Sequence, residues 1–154
     1  MLARRLRVLL ACALGLSPLL TGARAADEKT VTITGKVVPL ADLVAKTGSR
    51  LDADAAPHWL ALVTDDGKVY PLVKDAGARL FFKDPALLNR PMQLTGKMLP
   101  GSQILRVLLV RSVKKGELHE VYYWCDICTI KRGEKDICEC CGGPMELREV
   151  AIKK

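Results

Sequence analysis

Residues 125–143, CDICTIKRGEKDICECCGG, hold five of the chain's six cysteines. Cys125-Asp-Ile-Cys128 and Cys138-Glu-Cys-Cys141 are two C-x-x-C pairs separated by nine residues, and Gly142 follows the second. A C-x-x-C turn can aim both sulfurs at one point, and a glycine after it allows the left-handed backbone that such a turn uses. Two of these turns facing each other supply four thiolates in a tetrahedron. The segment has too few apolar residues to fold alone, so a bound ion would supply much of its folding free energy, on the order of 10 kcal/mol for structural zinc. Cys140 is left over, as a free thiol or an alternative ligand.

The other end of the chain bears on the redox compartment. Arg4, Arg5 and Arg7 precede an apolar run, Val8 to Leu20, and Ala23-Arg24-Ala25 presents small residues two apart. This is the layout of a secretory signal peptide over residues 1–25, cleaved after Ala25, which predicts a periplasmic or extracellular protein. Leu9-Leu10-Ala11-Cys12 also matches a lipoprotein box, with too short an apolar run ahead of Cys12. The thirteen-residue run is too short to span a bilayer, so no transmembrane segment is expected after cleavage.

Four of the 24 basic residues would leave with the signal, so 20 basic against 17 acidic residues gives the mature chain a charge of +3 rather than +7. That argues against a nucleic-acid partner, which needs a concentrated basic face. An unidentified protein or a small ligand is the expected partner.

Export into an oxidising compartment makes disulfides or a redox dithiol the main competitor to a metal. Five cysteines cannot all pair within one chain, and a bridge inside C-x-x-C marks a redox site more often than a staple. The residues after Cys128 read as a short strand and turn, whereas a thioredoxin-like dithiol opens a helix. Cys138, Cys140, Cys141 and Met145 would also suit a soft ion such as Cu(I), although Met145 on a strand reads as core. Lys131, Arg132 and Lys135 could offset the charge of a four-thiolate centre, or form an ordinary solvated turn.

The middle of the chain reads as strands. Val31–Pro39 (VTITGKVVP) and Met92–Pro100 (MQLTGKMLP) echo each other, alternating apolar and polar residues up to a glycine that marks a bulge or sharp bend. Trp59–Thr64 and Lys68–Val73 flank the turn Asp65-Asp66-Gly67, and Ile104–Val113 and Leu118–Trp124 flank Lys114–Glu117. Asp84-Pro85 predicts a capped short helix over 84–89. Phe81 and Phe82 are expected in the core.

A helix between the third and fourth strands of a curved five-stranded sheet is the arrangement of an OB-like barrel. Residues 30–113, with TGKVV, TDDGKVYPLV and LTGK, resemble small secreted bacterial OB-fold domains. Residues 79–149, with DPALLNRPMQLTGK, YYWCDIC and CCGGPMEL, resemble a group of secreted bacterial proteins of unknown function. The cysteine pairs resemble a zinc ribbon or the knuckles of rubredoxins.

The sequence thus predicts a mainly β protein with a short helix: an OB-like barrel over 26–117 and a zinc-ribbon-like module over 118–154. Cys125, Cys128, Cys138 and Cys141 are the predicted ligands of one structural zinc, with iron or copper as the other candidates. His58 and His119 are the only histidines, and no catalytic grouping or phosphate loop is found. The function expected is non-catalytic binding or scaffolding. A rubredoxin-like electron carrier and a periplasmic copper-binding protein are the alternatives.

Overall fold

The structure, a computed structural model, describes residues 29–153. The signal peptide expected over residues 1–25, with Cys12, falls outside the described residues. The described residues are mainly β and form one sheet of eight strands: β1 (Thr30–Pro39), β2 (Leu60–Val63), β3 (Val69–Pro71), β4 (Pro91–Met98), β5 (Leu105–Lys114), β6 (Glu117–Cys125), β7 (Ile130–Arg132) and β8 (Glu146–Ala151). Their order is β3-β2-β1-β4-β5-β6-β7, with β8 also paired to β6.

Two helices are present among the described residues, α1 (Leu40–Ala45) and α2 (Arg79–Lys83), with 3-10 turns at Ala56–His58 and Pro85–Leu87. The short helix expected over 84–89 is a 3-10 turn over Pro85–Leu87, and a separate helix lies ahead of it. α2 precedes Asp84, whose extended backbone (φ −129°, ψ 100°) breaks the helix before the Pro85–Leu87 turn. A residue before proline is pushed out of the helical region, which accounts for the break. The capping role of Asp84 holds, since its Oδ1 accepts from the Ala86 amide at 3.1 Å.

The first five strands curl without closing into a barrel. The residues just after β3 meet β5 in one parallel bridge, Leu72 to Leu105, where the Val73 amide donates to the Leu105 carbonyl at 3.0 Å. β3 is three residues long and ends on Pro71, which has no N–H with which to extend a ladder.

The glycines of the two TGK stretches explain the curl. A Cβ on Gly35 would lie 2.3 Å from the Val63 carbonyl oxygen, and one on Gly96 would lie 2.3 Å from that of Arg106. Backbones approach here more closely than a side chain allows. At Gly96 the register with β5 also shifts, as Thr95 faces Leu109 and Gly96 faces Val107. Leu108 is the extra residue of that bulge.

The interior is filled by Val37, Leu62, Phe81, Leu87, Met92, Leu94 and Leu105, with Phe82 packed at its margin. The same core runs on through Tyr123 into Cys125, Cys138 and Met145. β6 makes this continuity possible. It pairs with β5 over Glu117–Glu120, turned by Lys115 (φ 51°) and Gly116 (φ 81°) as a two-residue hairpin requires, and then runs on to pair with β8 and β7.

Candidate metal centre

β6 delivers Cys125 at its last position. The chain then turns through Asp126 and Ile127 to Cys128 and returns as β7, which pairs Cys125 with Ile130 and Tyr123 with Arg132. The second turn, Cys138 to Cys141, is closed by the Ile137–Pro144 bridge and feeds β8.

The two turns share one backbone design. The Thr129 amide donates to the Cys125 carbonyl at 2.8 Å, and the Gly142 amide donates to the Cys138 carbonyl at 2.8 Å. Thr129 (φ 54°) and Gly142 (φ 70°) both take the left-handed conformation that ends such a turn. The Cys128 amide also points at the Cys125 sulfur, 3.5 Å away.

These turns bring the four spacing-predicted cysteines together. The sulfurs of Cys125, Cys128, Cys138 and Cys141 all lie within 4.8 Å of one another, and those of Cys125 and Cys141 are 3.6 Å apart. Among the described residues this is the one grouping of three or more potential metal ligands. Cys125 and Cys138 are each 1% exposed, Cys128 is half-buried and Cys141 is exposed. The site therefore has a buried side made by the first cysteine of each turn and an open side made by the second. None of the five cysteines among the described residues is in a disulfide.

The electrostatics of the group favour a cation. The amides of Cys141 and then Cys140 hold the Cys138 thiol down to about 6. The thiol of Cys128 is pushed well above its usual range by Cys140, by burial and by the other sulfurs. At Cys125 the Cys128 amide is the largest influence and pulls the value down, yet burial with Cys138 and Cys141 leaves it raised. Thiolates this close repel one another, which favours the protonated form at Cys125 and Cys128, and an ion that displaces the protons removes the conflict. Four sulfur donors within 4.8 Å of one another suit zinc, iron or another thiophilic ion.

Cys140 stands on the open side against Cys128, is exposed, and lies outside the group of four. The three basic residues of the loop are engaged by carboxylates. Lys131 pairs with Glu120 and lies 4.4 Å from the centre of the Tyr122 ring. Arg132 pairs with Glu139, and Lys135 reaches Asp84 Oδ1 at 3.4 Å. His58 contacts Lys74 and His119 sits by the Glu117 carbonyl, so neither joins the cysteines.

The spacing of the cysteines gave no sign of what supports them. Asp84, 4% exposed, accepts from the Tyr123 hydroxyl at 2.8 Å as well as from Ala86 and Lys135. Burial is the largest influence on its carboxyl and acts upward, but those three donors bring it below its usual range. Tyr123 is pushed far above the usual phenol range by burial and by Asp84. The sequence signal for Asp84 was its place before Pro85, which accounts for a cap and not for a tie to the cysteine loop.

Fold and site together define a mainly β protein with a four-cysteine group able to hold a metal ion. Compared with protein-family models, curated proteins and solved structures, the chain matches none. No helix among the described residues is long and apolar enough to cross a membrane.

Proposed function

We propose that this is an exported, non-catalytic binding or scaffolding protein in which one Zn²⁺, held by Cys125, Cys128, Cys138 and Cys141, fixes a rigid platform at the end of an OB-like sheet. The observation that carries this reading is the convergence of four sulfurs within 4.8 Å from two turns of matching backbone design. Two further features support a structural role for the ion. Two ligands are buried in the protein's own core, and Met145 beside them is 5% exposed. The ion would thus be part of the core rather than a guest at its rim.

The test is elemental analysis together with a thiol count, before and after denaturation, on chain purified from the periplasm and from the cytoplasm. One zinc per chain and one readily reacting thiol in both preparations is the expected result. A rubredoxin-type iron absorbance would make the centre an electron carrier. Tight Cu(I) with no zinc would make it a copper site. No metal, with two bridges and one free thiol in the periplasmic sample, would overturn the metal reading in favour of a disulfide or redox module.

A further inference from the structure

The loop between the two cysteine turns is tied to α2. Arg79 pairs with Glu134 at 3.3 Å, and Lys83 pairs with Glu134 at 3.6 Å and with Asp136 at 2.8 Å. Asp136 is two residues before Cys138. At the end of α2, Asp84 receives Tyr123, two residues before Cys125, and Lys135, three before Cys138. One buried carboxylate thus holds the segments that lead into both turns.

We infer that Asp84 is a positioning residue for the metal centre, and that metal binding in turn orders α2. The inference rests on the metal-binding reading above. An ion that needs both turns in place binds more tightly when something already holds them, and linkage requires the ion to tighten that same support by an equal factor. Exposed ion pairs contribute little singly. Asp84 differs because it is buried and its donors are fixed by β6, by the Pro85–Leu87 turn and by the loop.

α2 is suited to respond. Its five residues are too few to be stable as an isolated helix, so its order depends on what it packs against and on its ties to the loop. It also contributes Leu80 to a surface groove of about 200 Å³ shared with Gly77, Leu108, Leu109, Val121 and Gly133. A change in the order of α2 therefore reaches the surface at that groove.

The experiment measures zinc affinity by chelator competition for the wild-type chain, Asp84→Asn and Lys135→Met, and amide hydrogen exchange with and without zinc. Asp84→Asn should weaken zinc roughly tenfold or more while still binding one ion, in the range seen when partners behind metal ligands are removed. Lys135→Met should act in the same direction with a smaller change. In the wild type, zinc should slow exchange at the Asp84 amide, bonded to Leu80, and at the Phe81 amide, bonded to Ala78. In Asp84→Asn that slowing should vanish.

Zinc uptake with both α2 amides indifferent, while those of Thr129 and Gly142 respond, would overturn the coupling and leave the metal reading intact. Unchanged affinity in Lys135→Met would also overturn it should Asp84→Asn fail to fold. No zinc uptake by the wild-type chain would remove the metal reading and the coupling together.

Discussion

Thr129 and Gly142 hold the same station in two copies of one turn: each follows the second cysteine of a pair, and each amide donates to the carbonyl of the first at 2.8 Å. Their residue types are opposite in suitability. Glycine takes a positive φ without penalty, while a β-branched residue there is strained. The Thr129 hydroxyl donates to the Cys128 carbonyl at 2.7 Å, a local bond that offsets part of the strain.

Thr129→Gly should therefore stabilise the metal-loaded protein by about 1 kcal/mol, and Gly142→Ala should destabilise it by about the same amount. Nothing lies within 4 Å of a Cβ built on Gly142, so the cost of that change comes from the backbone and not from crowding. Urea unfolding of both variants with zinc in excess checks the pair. Opposite shifts are expected, and a destabilised Thr129→Gly would mean that the hydroxyl matters more than the strain.

The curl of the sheet predicts a second set of effects. A Cβ on Gly77 would lie 1.9 Å from the Val107 carbonyl oxygen, closer even than those on Gly35 and Gly96. Alanine at any of the three must push backbone apart, at a cost of roughly 1–3 kcal/mol or more. Gly133 has open space around it, and Gly133→Ala should stay within about 0.5 kcal/mol of the wild type. Denaturant midpoints for the four alanine variants test this ranking.

Tyr123→Phe should cost roughly 1–3 kcal/mol, because it removes a hydrogen bond to a buried carboxylate and leaves that oxygen without its donor. The ring itself stays packed, so the loss is attributable to the hydroxyl. In the wild type, one of the chain's three tyrosines should resist ionisation in an alkaline absorbance titration. That resistant fraction should disappear in Tyr123→Phe.

Glu149 on β8 predicts a pH effect. Its carboxylate is paired with Arg90 and, at 2.5 Å, with Lys114. Burial is the largest influence and raises its pKa, yet Lys114 and Arg90 bring it below the ordinary 4.5. A carboxyl depressed by folding adds stability that is complete above the unfolded value and disappears as pH falls through the lower folded value. Stability should therefore decline below about pH 4.5, and Glu149→Gln should flatten part of that decline. Urea midpoints between neutral pH and pH 3 in the two proteins measure it.

The strands and the four cysteines were legible because each rests on a local rule. The alternation of Val31–Pro39, the turn at Lys114–Glu117 and the C-x-x-C spacing all act within a few residues, and each reappears in the structure. α1 was not anticipated, since Leu40–Ala45 has no side-chain cap and no fully buried residue to impose a pattern. Barrel closure was expected from the glycine-bent strands and the place of the helix, whereas it depends on how far β3 extends past Pro71. The support from Asp84 was invisible because its partners lie 39 and 51 residues away in sequence. The sequence left Lys131, Arg132 and Lys135 between offsetting the charge of a four-thiolate centre and forming a solvated turn, and they pair with carboxylates that only the fold brings near.

Cys140 and Cys138 offer a contrast two residues apart. Cys138 is 1% exposed, belongs to the group of four, and has its thiol held low by the amides of Cys141 and Cys140. Cys140 is exposed and outside that group. Cys138→Ser should lower zinc affinity by at least about 100-fold, exceeding the loss typical of removing a partner behind a ligand. It should also destabilise the chain, because a buried ligand and part of the core go together. Cys140→Ser should keep one zinc per chain with little change in affinity or urea midpoint, and should abolish the single readily reacting thiol. A large loss of zinc in Cys140→Ser with retention in Cys141→Ser would reassign the fourth ligand by one position. The rest of the site would stand, since Cys125, Cys128 and Cys138 keep their places in either arrangement.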